Sequence, residues 1–271
     1  MTAPPARGID ELLAVMRALR DPERGCPWDV EQDFASIAPY AIEEAYEVAD
    51  AIAREDWRDL EAELGDLLLQ VAYHSRMAEE RGLFDFDRVA RGVAAKMVAR
   101  HPHVFGEAEV ADAAATHAVW EDAKARERAA KAASGADASL LADIPLALPA
   151  LTRALKLQKR AARAGFDWGA ARPILAKLRE ELDEVEAALD AGRQDEVAGE
   201  VGDVLFTVVN LARHLDADPE GALRGTNAKF ERRFRQIEAE AAGAGMRVGE
   251  MTLEEMEAAW ERAKAGERAG D

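Results

Sequence analysis

The amino-acid sequence predicts an all-α protein made of two tandem helical-bundle domains. Apolar residues recur at helical spacing along most of the 271 residues, and the alternation typical of strands is nearly absent. The motifs of the first half return in the same order in the second half, which indicates an internal repeat. A small, polar stretch at residues 133–139 is typical of a linker. The predicted domains are therefore residues 1–132 and 140–271.

Five helices are expected in each half. The fourth should end at His101-Pro102, because a proline disfavours helix in the residue before it. Asp10 is the expected N-cap of the first helix, Pro173 suits the first turn of the seventh, and Cys26–Asp29 is expected to be a turn. The predicted ranges are 10–20, 37–55, 57–81, 86–100 and 116–131, then 148–164, 173–191, 195–215, 219–241 and 253–265.

The repeat rests on constant spacing between matching motifs. Two acidic motifs of the first half recur 137 positions later, and a basic and a tryptophan motif recur at offsets of 133 and 140. Insertions explain this drift, since the order never changes. The matching pairs are Glu43-Glu44-x-x-Glu47 with Glu180-Glu181-x-x-Glu184, Glu63-Leu-Gly-Asp66 with Glu200-Val-Gly-Asp203, Lys96-x-x-x-Arg100 with Lys229-x-x-x-Arg233, and Trp120-Glu-x-Ala-Lys124 with Trp260-Glu-x-Ala-Lys264.

The formal net charge of −18 limits the classes of partner. Such an acidic surface repels the phosphate backbone of nucleic acids, so a general nucleic-acid-binding role is not expected. A polyphosphate substrate would need cations placed within its own site. No apolar run approaches the ~20 residues of a membrane span, and the N-terminus lacks a signal-peptide pattern. With Cys26 as the single cysteine, a cytoplasmic protein is expected.

The acidic motifs predict a metal site. Glu44 and Glu47 are three residues apart on one predicted helix, as are Glu63 and Asp66 on the next, so each pair shares a helix face. Two adjacent antiparallel helices would bring the four carboxylates together, and a divalent cation would relieve their repulsion. Oxygen ligands suit Mg²⁺, which Mn²⁺ could replace. The second half offers the same set: Glu181, Glu184, Glu200 and Asp203.

The alternative is that these acids simply form solvated helix faces, and one such match would be weak. The apolar runs after Asp66 and Asp203 instead predict helices at the centre of a bundle, where unpaired acids are costly. Gly65 and Gly202 lie mid-helix, where glycine costs about 1 kcal/mol relative to alanine. A close approach of the backbone to a ligand or a neighbouring helix would explain that cost.

Cationic and aromatic residues could complete the site. Lys229 and Arg233, one helical turn apart, could hold a triphosphate, as could Lys177; their first-half counterparts are Lys96 and Arg100. Each of these could equally be a solvated basic residue. Any tryptophan of the repeated segments could stack on a base, although core packing is the commoner role. These tryptophans are Trp28, Trp120, Trp168 and Trp260.

These segments together resemble the MazG family of nucleoside triphosphate pyrophosphohydrolases. The resemblance covers nearly the whole chain, although the acidic motif alone is shared with related all-α nucleotide pyrophosphatases. It is carried by Gly25-Cys26-Pro27-Trp28-Asp29, Glu43-Glu44-Ala-Tyr-Glu47, Glu63-Leu-Gly-Asp66, His101-Pro102-His103-Val104-Phe105-Gly106, Glu180-Glu181-Leu-Asp-Glu184, Glu200-Val-Gly-Asp203 and Asn227-Ala-Lys-Phe-Glu-Arg-Arg233.

The resemblance implies tandem all-α pyrophosphohydrolase domains, a homodimer, Mg²⁺ dependence and broad hydrolysis of NTPs and dNTPs to monophosphate and pyrophosphate. It suggests housecleaning or stress-related control of nucleotides. It also implies that the second half often carries the activity, with nucleotide contacts at residues 177–181, Asp203, residues 229–233 and Trp260. One departure is that residues 196–199, just before Glu200, offer no basic residue.

The mechanistic hypothesis gives Glu180, Glu181 and Glu184 direct roles in catalysis. Glu180 or Glu181 would accept the proton of the attacking water, and Lys229 and Arg233 would stabilise the leaving pyrophosphate. Two alternatives remain open. One is a narrow pyrophosphatase of the dUTPase or phosphoribosyl-ATP type, and the other is a non-catalytic nucleotide sensor or partner-binding protein.

Overall fold

A computed structural model describes residues 7–106, 112, 115–116, 119–120, 123–127, 137 and 139–270, with the side chains of residues 268–270 excepted. Within this described part, the regular secondary structure is entirely helical and no strand is present. The predicted all-α class is therefore confirmed. The chain forms two compact units, Met1–Lys131 and Ala132–Asp271.

The first unit contains four longer helices and two short ones among its described residues. Residues 115–116, 119–120 and 123–127 are also helical and, apart from residue 115, fall within the predicted fifth helix. The rest of that helix lies outside the described residues, as does most of the predicted linker. The helices are α1 (Gly8–Leu19), α2 (Pro27–Glu31), α3 (Phe34–Ala53), α4 (Trp57–Glu80), α5 (Phe86–Arg100) and α6 (Pro102–Phe105).

In its described part, the second unit contains five longer helices and a short 3₁₀ turn at Val248–Glu250, which was not predicted. Pro173 lies in the first turn of its helix, as expected. The helices are α7 (Ala150–Arg163), α8 (Ala171–Asp190), α9 (Gln194–His214), α10 (Pro219–Gly243) and α11 (Leu253–Gly270).

Two helix starts and one turn differ from the prediction. Asp10 is not the N-cap of α1, because the helix begins earlier and Asp10 instead accepts a 2.9 Å bond from Arg7 Nε. Helix α3 begins before Ser36 because Asp33 caps it, and the two residues form a reciprocal capping box. The expected turn at Cys26–Asp29 lies mostly in helix α2, which starts at Pro27 with proline in its first turn.

Each unit is organised around a helical hairpin, α3–α4 in the first and α8–α9 in the second. In the first unit α1 packs on α4, and Met16, Ile37 and Met77 form a buried core there. In the second unit α7 packs on α9 and α10, with Ile174 and Val209 fully buried. These cores hold the hairpins in register, so the acidic residues of facing helices meet across each hairpin.

The expectation that α4 and α9 lie at the centre of a bundle holds for one side of each helix, where Tyr73, Met77 and Val209 are buried, but not for the other side. The α4 residues Leu64 and Leu68 are exposed, as are Val201 and Leu205 on α9. No neighbouring helix approaches the mid-helix glycines closely, since a Cβ at Gly65 or Gly202 would meet no described atom within 4 Å outside its own helix backbone; a close approach to a ligand stays a prediction. Among the described residues, no helix combines the length and apolar character needed to span a bilayer.

Candidate active site

Three carboxylates meet across the α8–α9 hairpin. Oxygens of Glu181 and Glu184 on α8 and of Glu200 on α9 all lie within 4.8 Å of one another. Glu181 is buried, Glu200 is half-buried and Glu184 is exposed, so the cluster runs from the interior to the surface. The i, i+3 spacing places the first two on one face of α8, and hairpin packing adds the third. Such a set of hard oxygen ligands can hold a divalent cation.

Lys177 partly balances the charge of this cluster. Its Nζ lies 2.8 Å from Glu180 Oε1 and 2.9 Å from Glu181 Oε1, one helical turn along α8. Bonds to these two carboxylates raise the pKa of Lys177, so the ammonium stays charged. The pKa of Glu184 is nevertheless raised, first by its hydrogen bond with Glu181 and then by burial. Lys177 therefore does not neutralise the whole second-half cluster, which can accept a further cation.

A cavity of about 580 Å³ adjoins the cluster. Lys177, Glu181 and Asp203 line it, so Asp203 faces the same space although it does not belong to the group of three carboxylates. Apolar and aromatic side chains form most of the remaining wall, with a few amide and hydroxyl groups. These remaining residues are Leu141, Leu157, Gln158, Ala161, Gly165, Phe166, Asp167, Trp168, Phe206, Thr207, Asn210 and Arg213.

An aromatic loop forms one wall of this cavity and is fastened to the end of α9. Arg213 donates from Nη1 to Asp167 Oδ2 at 3.0 Å and from Nη2 to Oδ1, and His214 Nε2 lies 2.8 Å from Oδ1. The Arg213 guanidinium lowers the pKa of Asp167 far below its usual range. Gly165 and Gly169 bracket the loop with φ values of +87° and +69°, which L side chains adopt rarely. The loop presents Phe166 and Trp168 to the cavity.

The first half repeats the carboxylates without the cation. Oxygens of Glu44, Glu47 and Glu63 also lie within 4.8 Å of one another. Tyr40 stands where α8 has Lys177. The pKa of Glu44 is raised by burial and then by the charge of Asp66, and the pKa of Glu63 is raised by burial and then by Glu47. This cluster therefore has no equivalent of Lys177, but it still has the ligands for a metal ion.

A cavity of only about 160 Å³ lies at the equivalent place in the first half, and none of the cluster's carboxylates lines it. Tyr73 lies in its wall, and the Tyr73 hydroxyl is 2.9 Å from the carbonyl oxygen and 3.0 Å from Oδ1 of Asp29. The buried Arg20 also donates to the Asp29 carbonyl and binds Glu80 at 2.8 Å. Trp28 lines this small cavity, as Trp168 lines the larger one. The bulk of these groups leaves little room for a nucleotide.

The predicted basic and tryptophan motifs lie elsewhere in each unit. Arg233 binds Glu267 at 2.7 Å and lies 5.3 Å from the Trp260 ring, and neither residue lines the large cavity. Arg100 likewise binds Glu127 at 2.6 Å and lies near Trp120. Lys96 and Lys229 are exposed on α5 and α10. The structure thus repeats an Arg–Glu–Trp arrangement in both halves without joining it to the carboxylates within the described residues.

Sequence reasoning did not identify five polar residues of the large cavity as site residues: Gln158, Asp167, Thr207, Asn210 and Arg213. Asp167 belongs to a motif that was noted for its tryptophan, and Arg213 corresponds to Arg76 at the repeat offset of 137. The repeat could therefore have drawn attention to both. No spacing signal marks Gln158, because only the packing of α7 on α9 brings it to the cavity.

Comparison with known proteins decides the family. A model of the MazG nucleotide pyrophosphohydrolase domain matches the chain twice, at residues 32–105 and 171–237. The chain belongs to the MazG family. The double match, together with the helical structure, confirms the tandem all-α architecture and the resemblance inferred from the motifs.

Several MazG relatives align along most of the chain. A nucleoside triphosphate pyrophosphohydrolase of Escherichia coli K12 is 50% identical over 264 residues, 96% of this chain and 98% of the relative. The nucleoside triphosphate pyrophosphohydrolase/pyrophosphatase MazG of Thermotoga maritima is 40% identical over 259 residues, 96% of each chain. A nucleoside triphosphate pyrophosphohydrolase of Mycolicibacterium smegmatis is 34% identical and covers 74% of this chain and 66% of its own length.

Proposed function

We propose that this protein hydrolyses nucleoside triphosphates to nucleoside monophosphate and pyrophosphate, and that the second half carries the reaction. The observation that carries this proposal is the large cavity, which joins the buried Glu181 and Lys177 to an aromatic wall. A nucleotide needs both features, since one end is a polyanion and the other an aromatic ring. The names of the Escherichia coli and Thermotoga maritima relatives support the reaction type.

Glu181, Glu184 and Glu200 are the residues we infer to hold Mg²⁺, or Mn²⁺ in its place. The fit rests on the short oxygen–oxygen distances and the all-carboxylate donor set. When bound, the ion would neutralise phosphate charge and favour ionisation of a water molecule. The equivalent triad of Glu44, Glu47 and Glu63 fits the same ions, but we assign no hydrolysis to it.

The protein groups divide the remaining work. Lys177 supplies positive charge toward the phosphates, and the apolar wall excludes water from the bound substrate. Of the two proton acceptors considered, we favour Glu181, because it lies both in the triad and in the cavity wall. Glu180 belongs to neither set and its side chain is 60% exposed. Asp203 lines the cavity and remains in the proposed nucleotide site.

We also infer a cytoplasmic homodimer. Apolar side chains that a stable single bundle would bury are exposed on α4 and α9, including Leu64, Leu68, Leu205 and Val208, and a second copy of the chain would cover such faces. The net charge of −18 argues against nucleic acid as a partner. Lys229 is exposed, and Arg233 is paired with Glu267. The contacts of Lys229 and Arg233 with the triphosphate therefore stay predictions.

A product-resolved assay tests the reaction. The purified protein is incubated with each NTP and dNTP, with Mg²⁺ or with EDTA, and the products are separated by ³¹P NMR. We expect pyrophosphate and monophosphate from most substrates, and none in EDTA. Orthophosphate and diphosphate would reject the bond assignment. If only one nucleotide were hydrolysed when all of them compete, the protein would be a narrow pyrophosphatase. Binding without turnover would indicate a sensor.

A further inference from the structure

A buried amide on α7 reaches the large cavity with its oxygen unpaired. Gln158 is 6% exposed, and its Nε2 donates to the main-chain carbonyl of Phe206 at 2.8 Å. Its Oε1 is enclosed and has no hydrogen-bond partner among the described residues. A buried, unpaired acceptor destabilises a protein, so its presence beside a cavity points to a ligand that completes it.

The orientation of this amide follows from its partner. A main-chain carbonyl can only accept a hydrogen bond, so the nitrogen of Gln158 must face Phe206. Oε1 is then held as an acceptor, and the group that satisfies it must be a donor. Apolar groups dominate the surrounding wall, where Leu157, Ala161 and Phe206 line the cavity with Gln158. Thr207, Asn210 and Arg213 also line the cavity, but no described residue donates to Oε1, so a ligand is left to supply the donor.

The same cavity provides surfaces for a flat ring. Phe166 and Trp168 lie on the loop that Asp167 fastens to Arg213, so the aromatic wall is held in place. Phe166 is 85% exposed, which leaves its ring available to a ligand. An aromatic face next to a fixed acceptor matches a heterocycle that stacks and donates from its edge.

We propose that Gln158 Oε1 accepts a hydrogen bond from an N–H on the edge of the nucleobase. This inference rests on the proposed function and adds the group that engages the base. Adenine and cytosine carry an amino donor, and guanine and uracil carry an imino donor, so one acceptor serves all four. Gln158 therefore selects for rings with an edge donor, and it makes little distinction among the common bases.

Matched nucleotides with and without the donor test the proposal on the unaltered enzyme. ATP is compared with purine riboside triphosphate, which lacks the amino group, and UTP with N3-methyluridine triphosphate, which lacks the imino hydrogen. We expect kcat/KM to fall about 10-fold or more when the donor is missing. In the Gln158→Leu variant, kcat/KM should fall for ATP and UTP but not for the analogues that lack the donor. The ratio of kcat/KM between each nucleotide and its analogue should therefore be close to one.

Gln70→Leu is the matched control, because Gln70 Oε1 is also buried and unpartnered but lies beside the small first-half cavity. It should leave both ratios as in the unaltered enzyme. Equal kcat/KM for donor and donor-free nucleotides in the unaltered enzyme would overturn the role of Gln158, even if every variant misfolded. If no nucleotide were hydrolysed, the proposed function would fail, and calorimetric affinities for ATP and purine riboside triphosphate would decide on Gln158 separately.

Discussion

The two halves of the chain carry the same three-carboxylate cluster on the same helical hairpin, yet among the described residues only the second-half cluster adjoins a large cavity. Glu44, Glu47 and Glu63 match the second-half carboxylates in spacing and in mutual distance. The cavities at equivalent places in the two halves differ more than threefold in volume, about 160 Å³ against about 580 Å³. Ligand geometry follows from the helix repeat, whereas room for a substrate depends on the side chains that surround it.

Three exchanged positions on equivalent helices account for much of this difference. Lys177 corresponds to Tyr40, and Asn210 corresponds to Tyr73, whose hydroxyl binds Asp29 inside the first half. The buried Gln70 stands where the second half has Thr207. Bulky groups thus replace smaller ones, and a neutral phenol replaces a cation. The first cluster keeps metal ligands but lacks both the space and the charge that a triphosphate needs.

The sharpest test of this comparison removes one carboxylate from each half. Glu184→Ala should lower kcat/KM for dNTP hydrolysis by about 100-fold or more, because it removes a proposed metal ligand. Glu47→Ala, the matched change in the first half, should leave it nearly unchanged. Steady-state kinetics of both variants and the double mutant measure this. Equal losses would show that both halves work, and unchanged rates in all three would remove the metal site.

Exchange of the cation tests the second difference between the halves. Lys177→Tyr copies the first-half residue and should lower kcat/KM by about 10- to 100-fold, since a charge-assisted contact is lost and Glu181 is left without its partner. The reverse change, Tyr40→Lys, should add no activity when combined with Glu184→Ala, because the first cavity stays small. Recovery of turnover in that combination would show that charge alone separates the halves.

Filling the cavity tests the role of its volume. Asn210→Tyr introduces the first-half side chain and should raise KM about 10-fold while kcat changes less, because the triad is not touched. Asn210→Ser also removes the amide bonded to Arg213 but keeps the space open, so it should raise KM much less. Equal effects of the two variants would point to the lost Arg213 contact and away from volume.

The smallest expected effect concerns stability and pH. The pKa values of Glu44, Glu63 and Glu184 are raised in the folded protein, so their protonation favours folding. In EDTA, this contribution is fully present below the unfolded value of about 4.3 and is lost as pH rises through the raised pKa. Mg²⁺ should therefore raise Tm more at about pH 8 than at about pH 5.

Calorimetry with and without Mg²⁺ measures this difference. The double variant Glu44→Gln, Glu184→Gln serves as the control, because it removes from each half one carboxyl group whose pKa is raised. In this variant, the Tm gain from Mg²⁺ should differ less between the two pH values. A Tm gain from Mg²⁺ that is the same at both pH values would contradict the view that uncompensated charge accumulates in the two clusters.

The fold class and the carboxylate clusters could be predicted because they depend on local spacing. Helical periodicity marks the hairpins, and Glu181 and Glu184 share a face wherever α8 is helical. The pairing of Lys177 with Glu181 is likewise an i, i+4 contact. The motifs also placed Glu200 and Asp203 at the same site, but local spacing could not show that Glu200 joins the triad while Asp203 lies in the cavity wall. Both depend on how α9 is rotated against α8, which core residues such as Val209 determine.

By itself, the sequence determined that the chain is helical, duplicated and able to gather acids on each hairpin, because these properties follow from composition and periodicity along a helix. Only the tertiary structure decided which cluster adjoins a large cavity. That cavity is lined by α7, the loop at Asp167, α8 and α9, and it forms where α7 and its loop pack against the more distant α9. Contacts such as Gln158 with Phe206 have no local signature, since they arise only after the helices have docked.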